Sequence, residues 1–303
     1  MKPLIRKLGT IDCDLVETTP VVFKRRLYRF EYVRKGYAGN PTGDSYFRFV
    51  DWETGEASAP FAAGYHLGNV FVEDDVLTVT GTDIWDGEKV DLFASTDMCN
   101  WECRNALDLP GYGIFNTSLC KADGRYILMF EVGRPEEVAG VRFTARFAES
   151  PDLIHWELTD PACTYSVERY TAPHALRYLD GWFYNFYLEA HANPRFYDQR
   201  LVRSRDLVTW ESSPHDPVLL HGEEDRSVVS PALTEAERTR IAAAEDCNNS
   251  DIDFCEFEGR TVIVYSWGNQ HGNEFLAHAV YVGSEADFLR GWFPEGKAEG
   301  MVE

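Results

Sequence analysis

The sequence predicts an all-β fold, a five-bladed β-propeller, on three observations. A tryptophan-ended motif recurs along the chain, a tight-turn signal precedes each copy, and the flanks of those turns are rich in β-forming residues. Residues 95–101, 150–156 and 204–210 each read S-x-D-(L/M)-x-x-W. A looser copy runs from Ser284 through Asp287 to Trp292, and a degenerate one is Phe49-Val50-Asp51-Trp52. The Trp residues stand 49, 55, 54 and 82 residues apart. A self-similar period near 50 residues is the mark of stacked supersecondary units.

The turn signals are Asp123-Gly124, Asp180-Gly181 and Glu258-Gly259, with Asp74-Asp75 and Arg25-Arg26 in weaker form. They separate apolar runs such as Val21-Val22-Phe23 from Leu27-Tyr28-Arg29-Phe30, and they precede Thr261-Val262-Ile263-Val264-Tyr265. Every unit therefore reads strand, turn, strand, loop, strand, motif turn, outer strand, and four-stranded units of this kind build propellers. The segment from Pro3 to Leu8 is expected to supply the outermost strand of the last blade, because little sequence follows Trp292. The long last interval holds an insertion at about 233–246, where Thr234 and Glu237 form a capping box for a short helix. Residues 1–303 are expected to form one propeller domain. The motif itself is read as structural: Ser and Asp cap the turn while Trp packs between blades.

Composition narrows the function. The 303 residues are 44% apolar and 14% aromatic, which argues against disorder. The net charge of −21 repels phosphate backbones and anionic lipid, so nucleic acid and membrane are excluded as partners. No apolar run reaches ~18 residues, and no stretch has signal-peptide character. Seven scattered Cys without C-x-x-C fit reduced thiols in a cytoplasm.

In a propeller blade the start of the inner strand and the end of the second strand share one face, so polar residues there converge on the axis. Blade one brings Asp14 and Glu17, blade two Trp85, and blade three Asn116 and Glu131. Blade four brings Tyr170, His174, Glu189 and His191; blade five brings Asp251, Trp267, Gln270 and His271. Asp251 and Asp253 share a strand face by their spacing. Trp85, Tyr170 and Trp267 suit stacking on sugar rings, and Asn116, His174, His191, Gln270 and His271 suit binding of hydroxyls. Asp14, Glu17, Glu131, Glu189 and Asp251 form a carboxylate set of the kind that glycosidic-bond hydrolysis needs. No cofactor is expected. Ca²⁺ at the axis, held through carboxylates and His271, has no ligand-spacing motif behind it.

With these motif turns and the inner strand that follows Thr171-Ala172-Pro173, the chain resembles the five-bladed propeller glycosidases of glycoside hydrolase families 43, 32, 117 and 130. The resemblance spans nearly the whole chain. It implies an acidic base before a Pro in blade one, where Glu17, or Asp14 upstream, stands before Pro20. It implies an acid glutamate in E-x-P, where this chain has Thr171, and a tuning aspartate in blade three, where it has Asn116. A His acid, as in family 117, would fall to His174 or His271. The expected activity is an exo-acting, inverting glycoside hydrolase on short oligosaccharides. Its base is one of Asp14, Glu17 and Asp251, and its acid is Glu131, Glu189 or a His. A glycoside phosphorylase using Arg134 and His191, or a sugar-binding propeller without catalysis, are the alternatives. The sequence sets no oligomeric state.

Overall fold

A computed structural model describes residues 2–34 and 44–294. Its strands assemble as five blades in chain order. Blade one is Thr19–Phe23, Arg26–Arg34 and Ser45–Asp51, edged by short bridges at Ala57 and Phe61. Blade two is His66–Glu73, Val76–Thr82, Lys89–Ser95 and Glu102–Asp108. Blade three is Gly113–Ala122, Arg125–Arg134, Thr144–Ser150 and Glu157–Leu158. Blade four is His174–Leu179, Trp182–Ala192, Arg195–Ser204 and Trp210–Ser212. Blade five is Asn248–Phe257, Arg260–Gly268 and Glu274–Tyr281. Its fourth strand is Arg6–Cys13, antiparallel to Glu274–Tyr281, so the chain's first strand completes the last blade as expected. The inner strands pack in a ring, each on the next, with Asn248–Phe257 returning to Thr19–Phe23. The five-bladed propeller expected from the sequence is the fold observed.

The turn signals act as the residue types dictate. All five inner hairpins turn through two residues of positive φ: Lys24 and Arg25, Asp74 and Asp75, Asp123 and Gly124, Asp180 and Gly181, Glu258 and Gly259. That backbone matches the right-handed strand twist, and Asp and Gly adopt it at low cost.

The tryptophan motifs are structural, as read. In residues 204–210 the Ser204 Oγ accepts from the amides of Asp206 and Leu207 at 3.2 and 2.9 Å. Asp206 Oδ1 accepts from Val208 and Thr209 at 2.9 and 2.7 Å. The pattern repeats at Ser95 and Asp97 and at Ser150 and Asp152. Trp101 stacks on Phe61 of blade one at 3.8 Å, and Trp210 lies against Phe147 of blade three. The looser copy differs: two extra residues let Ser284 cap a helix, Glu285–Gly291, and Trp292 is fully buried behind it. The insertion forms the helix Glu235–Ala243, with Thr234 and Glu237 capping each other.

Candidate active site

Three inner strands depart from regular pairing at the same place. Between His66 and Asn69, between Ile114 and Thr117, and between Ser250 and Asp253, the inner strand takes three steps while its partner takes two. Such a bulge bends the strand and re-aims the extra side chain. The extra positions fall at Leu67 and Gly68, at Phe115 and Asn116, and at Asp251 and Ile252. All three bulges meet at one face of the axis, where a cavity of about 240 Å³ opens. Its polar lining includes Glu17, Arg34, Asn116, Glu131, Asp251 and Gln270. A smaller axial void of about 30 Å³ shares Glu17, Asn116 and Asp251 and is also lined by His174.

Much of this lining sits on backbone that L-residues adopt reluctantly. Glu17, Leu67, Phe143, Asp251 and Gln270 have φ of 47°, 55°, 74°, 53° and 59°. Each such residue costs of order 1–3 kcal/mol and persists only where its surroundings over-determine it. The cavity wall is thus set in place by the propeller rather than by local preference.

The three cavity carboxyl groups have different surroundings. Glu131 is fully committed. Asn116 Nδ2 donates to its Oε2 at 2.9 Å, and the backbone amide of His174 donates to its Oε1 at 2.9 Å. His174 Nδ1 lies 2.9 Å from the same oxygen, and His174 Nε2 lies 3.0 Å from Thr171 Oγ1. Burial raises the Glu131 carboxyl above its usual range, against the lowering effect of His174 and Asn116. Thr171, where the family resemblance implies a glutamate, is a buried partner of His174. Both nitrogens of His174 are engaged, so it braces Glu131 and has none left to offer a ligand.

Asp251 is held from one side. Ser250 Oγ donates to its Oδ2 at 2.6 Å, and Ser266 Oγ donates to the same oxygen. Burial raises its pKa, while the two serines, Arg34 and a hydrogen bond from the Glu17 backbone pull it down. Behind it, Asn248 Nδ2 donates to Ser250 Oγ at 2.9 Å and to Glu274 Oε2 at 3.2 Å. Glu274 Oε1 accepts the amide of Gln270 at 2.5 Å, which fixes a cavity residue from below.

Glu17 is the least satisfied. Its Oε2 is buried and meets no hydrogen-bond partner among the described residues; the nearest cation, Arg34 Nη2, is 3.9 Å away. Burial first, then the carboxylates of Asp251 and Glu131, push its pKa up to about 8 against the pull of Arg34. That rise favours the protonated form at neutral pH. Asn116 Oδ1 is likewise buried without a partner among the described residues.

The structure separates the other expected site residues from this cavity. Asp14 pairs with Arg240 of the inserted helix, so that helix ties down the N-terminal segment and does not line the cavity. Glu189 accepts from Arg169 Nε at 3.2 Å outside the cavity lining. His191 stacks on Phe196 at 4.1 Å and faces Asp198 at 3.2 Å. Arg134 pairs with Asp86 and Glu88. His271 is exposed beside Arg195. Trp267 is fully buried against Phe275 and donates to Thr10 Oγ1 at 2.8 Å; strand alternation sends Ser266 toward Asp251 and Trp267 to the far side. Trp85, Tyr170, Asn116, Gln270, Glu17, Glu131 and Asp251 do line the cavity, and His174 lines the void beneath.

Sequence reasoning missed Arg34, Phe115 and Phe143, all in the cavity wall. Arg34 was within reach, since it ends the second strand of blade one, the position the convergence rule selects. Phe143 precedes a third strand, where an apolar residue reads as core.

No protein-family model matches the chain, and no curated protein matches it by sequence. Solved structures match it over nearly their full length. An α-L-arabinanase of Penicillium chrysogenum complexed with arabinobiose is 12% identical, with a TM-score of 0.59 over 92% of this chain and 99% of that one. An α-L-arabinofuranosidase of Podospora anserina in complex with cellotriose is 9% identical, with a TM-score of 0.59 over 91% and 94%. A structure from the GH130 family of mannoside phosphorylases, which contains glycoside hydrolases targeting β-1,2-mannosidic linkages in Candida mannan, is 10% identical with a TM-score of 0.57 over 92% and 94%. The chain therefore has the five-bladed propeller fold of these glycoside hydrolases, at sequence distances where likeness extends to the fold alone.

Proposed function

We propose that this protein is a glycoside hydrolase that removes the terminal sugar of a short oligosaccharide. The observation that carries the reading is the unequal carboxyl pair in one cavity: Glu17 has a buried oxygen with no partner among the described residues and a pKa raised by burial, and Asp251 is held as an acceptor by two serine hydroxyls. Two carboxyl groups in different environments are what glycosidic cleavage requires. Asp251 takes a proton from water, and the water oxygen attacks the anomeric carbon. The glycosidic C–O bond breaks as Glu17 gives its proton to the departing oxygen, and the anomer is inverted. Asn116 Oδ1 accepts a sugar hydroxyl.

The cavity supports exo action. At about 240 Å³ it falls below the ~300–1,000 Å³ of drug-sized sites and takes one sugar ring rather than a chain. Seven unpaired thiols fit a reducing cytoplasm, and the scheme uses no cofactor.

The test is release of sugar from aryl glycosides and short oligosaccharides, with and without phosphate. Cleavage in buffer alone supports hydrolysis, and NMR of the first-formed anomer reads the stereochemistry. Turnover only with phosphate replaces the reading with a phosphorylase. Binding without cleavage on a broad panel replaces it with a sugar-binding propeller.

A further inference from the structure

The cavity has two unlike halves. Blades one and five bring Glu17, Arg34, Asp251 and Gln270. Blades two to four bring Asn116 and Glu131 together with an unbroken series of rings in edge-to-face contact. Trp85 meets Phe115 at 5.7 Å and 84°, Phe115 meets Phe143 at 4.7 Å and 88°, and Phe143 meets Tyr170 at 5.7 Å and 83°. The series is anchored behind Trp85 by His66, which lies between Tyr32 Oη at 2.5 Å and Ser45 Oγ at 3.2 Å. The guanidinium of Arg142 lies over Phe115 and Phe143 at 5.4 and 5.2 Å. These rings are braced on several sides.

A sugar ring that stacks in the ordinary way needs one flat platform. Phe115 and Phe143 instead meet at a right angle, and with Leu67 they make an apolar corner in the same cavity wall. A corner admits a group that projects from the sugar. Phe115, Phe143 and Leu67 offer no side-chain hydrogen bond, so a hydroxyl pressed there loses its water unpaired. A methyl group gains from the same burial.

Resting on the glycosidase reading above, we infer that the terminal sugar carries a methyl group, as a 6-deoxy sugar or a methyl ether, seated in the corner of Phe115, Phe143 and Leu67. The hydroxyls on its other edge then face Asn116, Gln270 and the carboxyl pair. This arrangement selects against the fully hydroxylated parent sugar by desolvation rather than by size.

The experiment is calorimetric binding of matched monosaccharides to the Asp251→Asn protein. The pairs are L-fucose with L-galactose, L-rhamnose with L-mannose, and methyl ethers with their parent sugars. The methyl-bearing member of at least one pair is expected to bind about tenfold tighter or more, the range one such group is worth in an apolar pocket. Preference within the first two pairs assigns the 6-deoxy source; preference confined to the ethers assigns the other. Phe143→Leu keeps the corner apolar and is expected to keep the preference, whereas Phe143→Asn is expected to erase it with the protein still folded by circular dichroism. Equal or tighter binding of the hydroxylated parent in every pair that binds overturns the inference and leaves the glycosidase reading standing. Binding of none of these sugars, together with no cleavage on the broad glycoside panel, overturns both.

Discussion

Asp251 and Asp253 stand two residues apart on one inner strand, yet they have opposite surroundings. Asp253 is surrounded by donors from four blades. Thr19 Oγ1 donates at 2.8 Å, Asn69 Nδ2 at 3.0 Å, and the amide of Phe254 at 2.8 Å, with the guanidinium of Arg177 closing the set. Its bonds run to blades one, two and four and tie the ring together. Asp251, re-aimed by the bulge, takes its side-chain donors from its own blade and turns toward the cavity. Satisfaction separates the two: the carboxylate with every lone pair answered is a fastener, and the other lines the cavity beside Glu17.

The largest effect expected is on turnover. Asp251→Asn and Glu17→Gln should each lower kcat by about 10²–10⁴-fold, the usual worth of a general base or acid, with the protein still folded. A normal rate in either variant breaks the contrast. Next is Asp253→Ala, which removes the nearer carboxylate partner of largely buried Arg177, leaving Glu285 at 3.7 Å; loss of one partner of a buried pair costs roughly 3–5 kcal/mol, read by urea unfolding. A stability loss at Asp251→Asn as large as at Asp253→Ala would erase the distinction.

The pH dependence sharpens it. Glu17 is raised to about 8 in the folded protein, so kcat/KM should fall above about pH 8 as the proton donor is lost. For stability, a folded pKa above the unfolded ~4.3 means the contribution is whole below that value and is lost as pH rises through about 8. Glu17→Gln cannot lose a proton, so its unfolding midpoint relative to the parent should rise between pH 5 and pH 8.5. The smallest effect is at the rim: Ser204→Ala removes a cap that accepts two amides and should cost about 1 kcal/mol without altering kcat.

The fold was legible because its signals are local. Ser204, Asp206 and Trp210 announce a turn within seven residues, and Asp180-Gly181 announces a hairpin within two. Even the weak signals turned as read, although at Lys24 and Arg25 the pair begins one residue earlier than the sequence marked. The site was half legible. Glu17, Glu131 and Asp251 follow from strand ends converging on an axis. Trp267 failed because alternation sends it away from the cavity, and Asp14 failed because Arg240 answers it from the inserted helix. Asp251 and Asp253 were expected to share a strand face by period two, and one inserted residue breaks that period. No residue type marks a bulge of this kind in the sequence. The difference between the satisfied Asp253 and the cavity-facing Asp251 depends on partners tens to hundreds of positions away, such as Thr19 for Asp253.

The strand Arg6–Cys13, which completes blade five, has a consequence for how the protein is made. It leaves the ribosome before blades one to four, and its partner Glu274–Tyr281 leaves after them. Until then Arg6–Cys13 carries a bare row of backbone donors and acceptors, the kind of edge that recruits another chain. Closing a loop of such length makes the last step of assembly non-local and slow, with aggregation as its competitor. Nascent chains of this protein are therefore most exposed to mispairing between the completion of blade four and the emergence of residue 281, the interval in which a chaperone has most to protect.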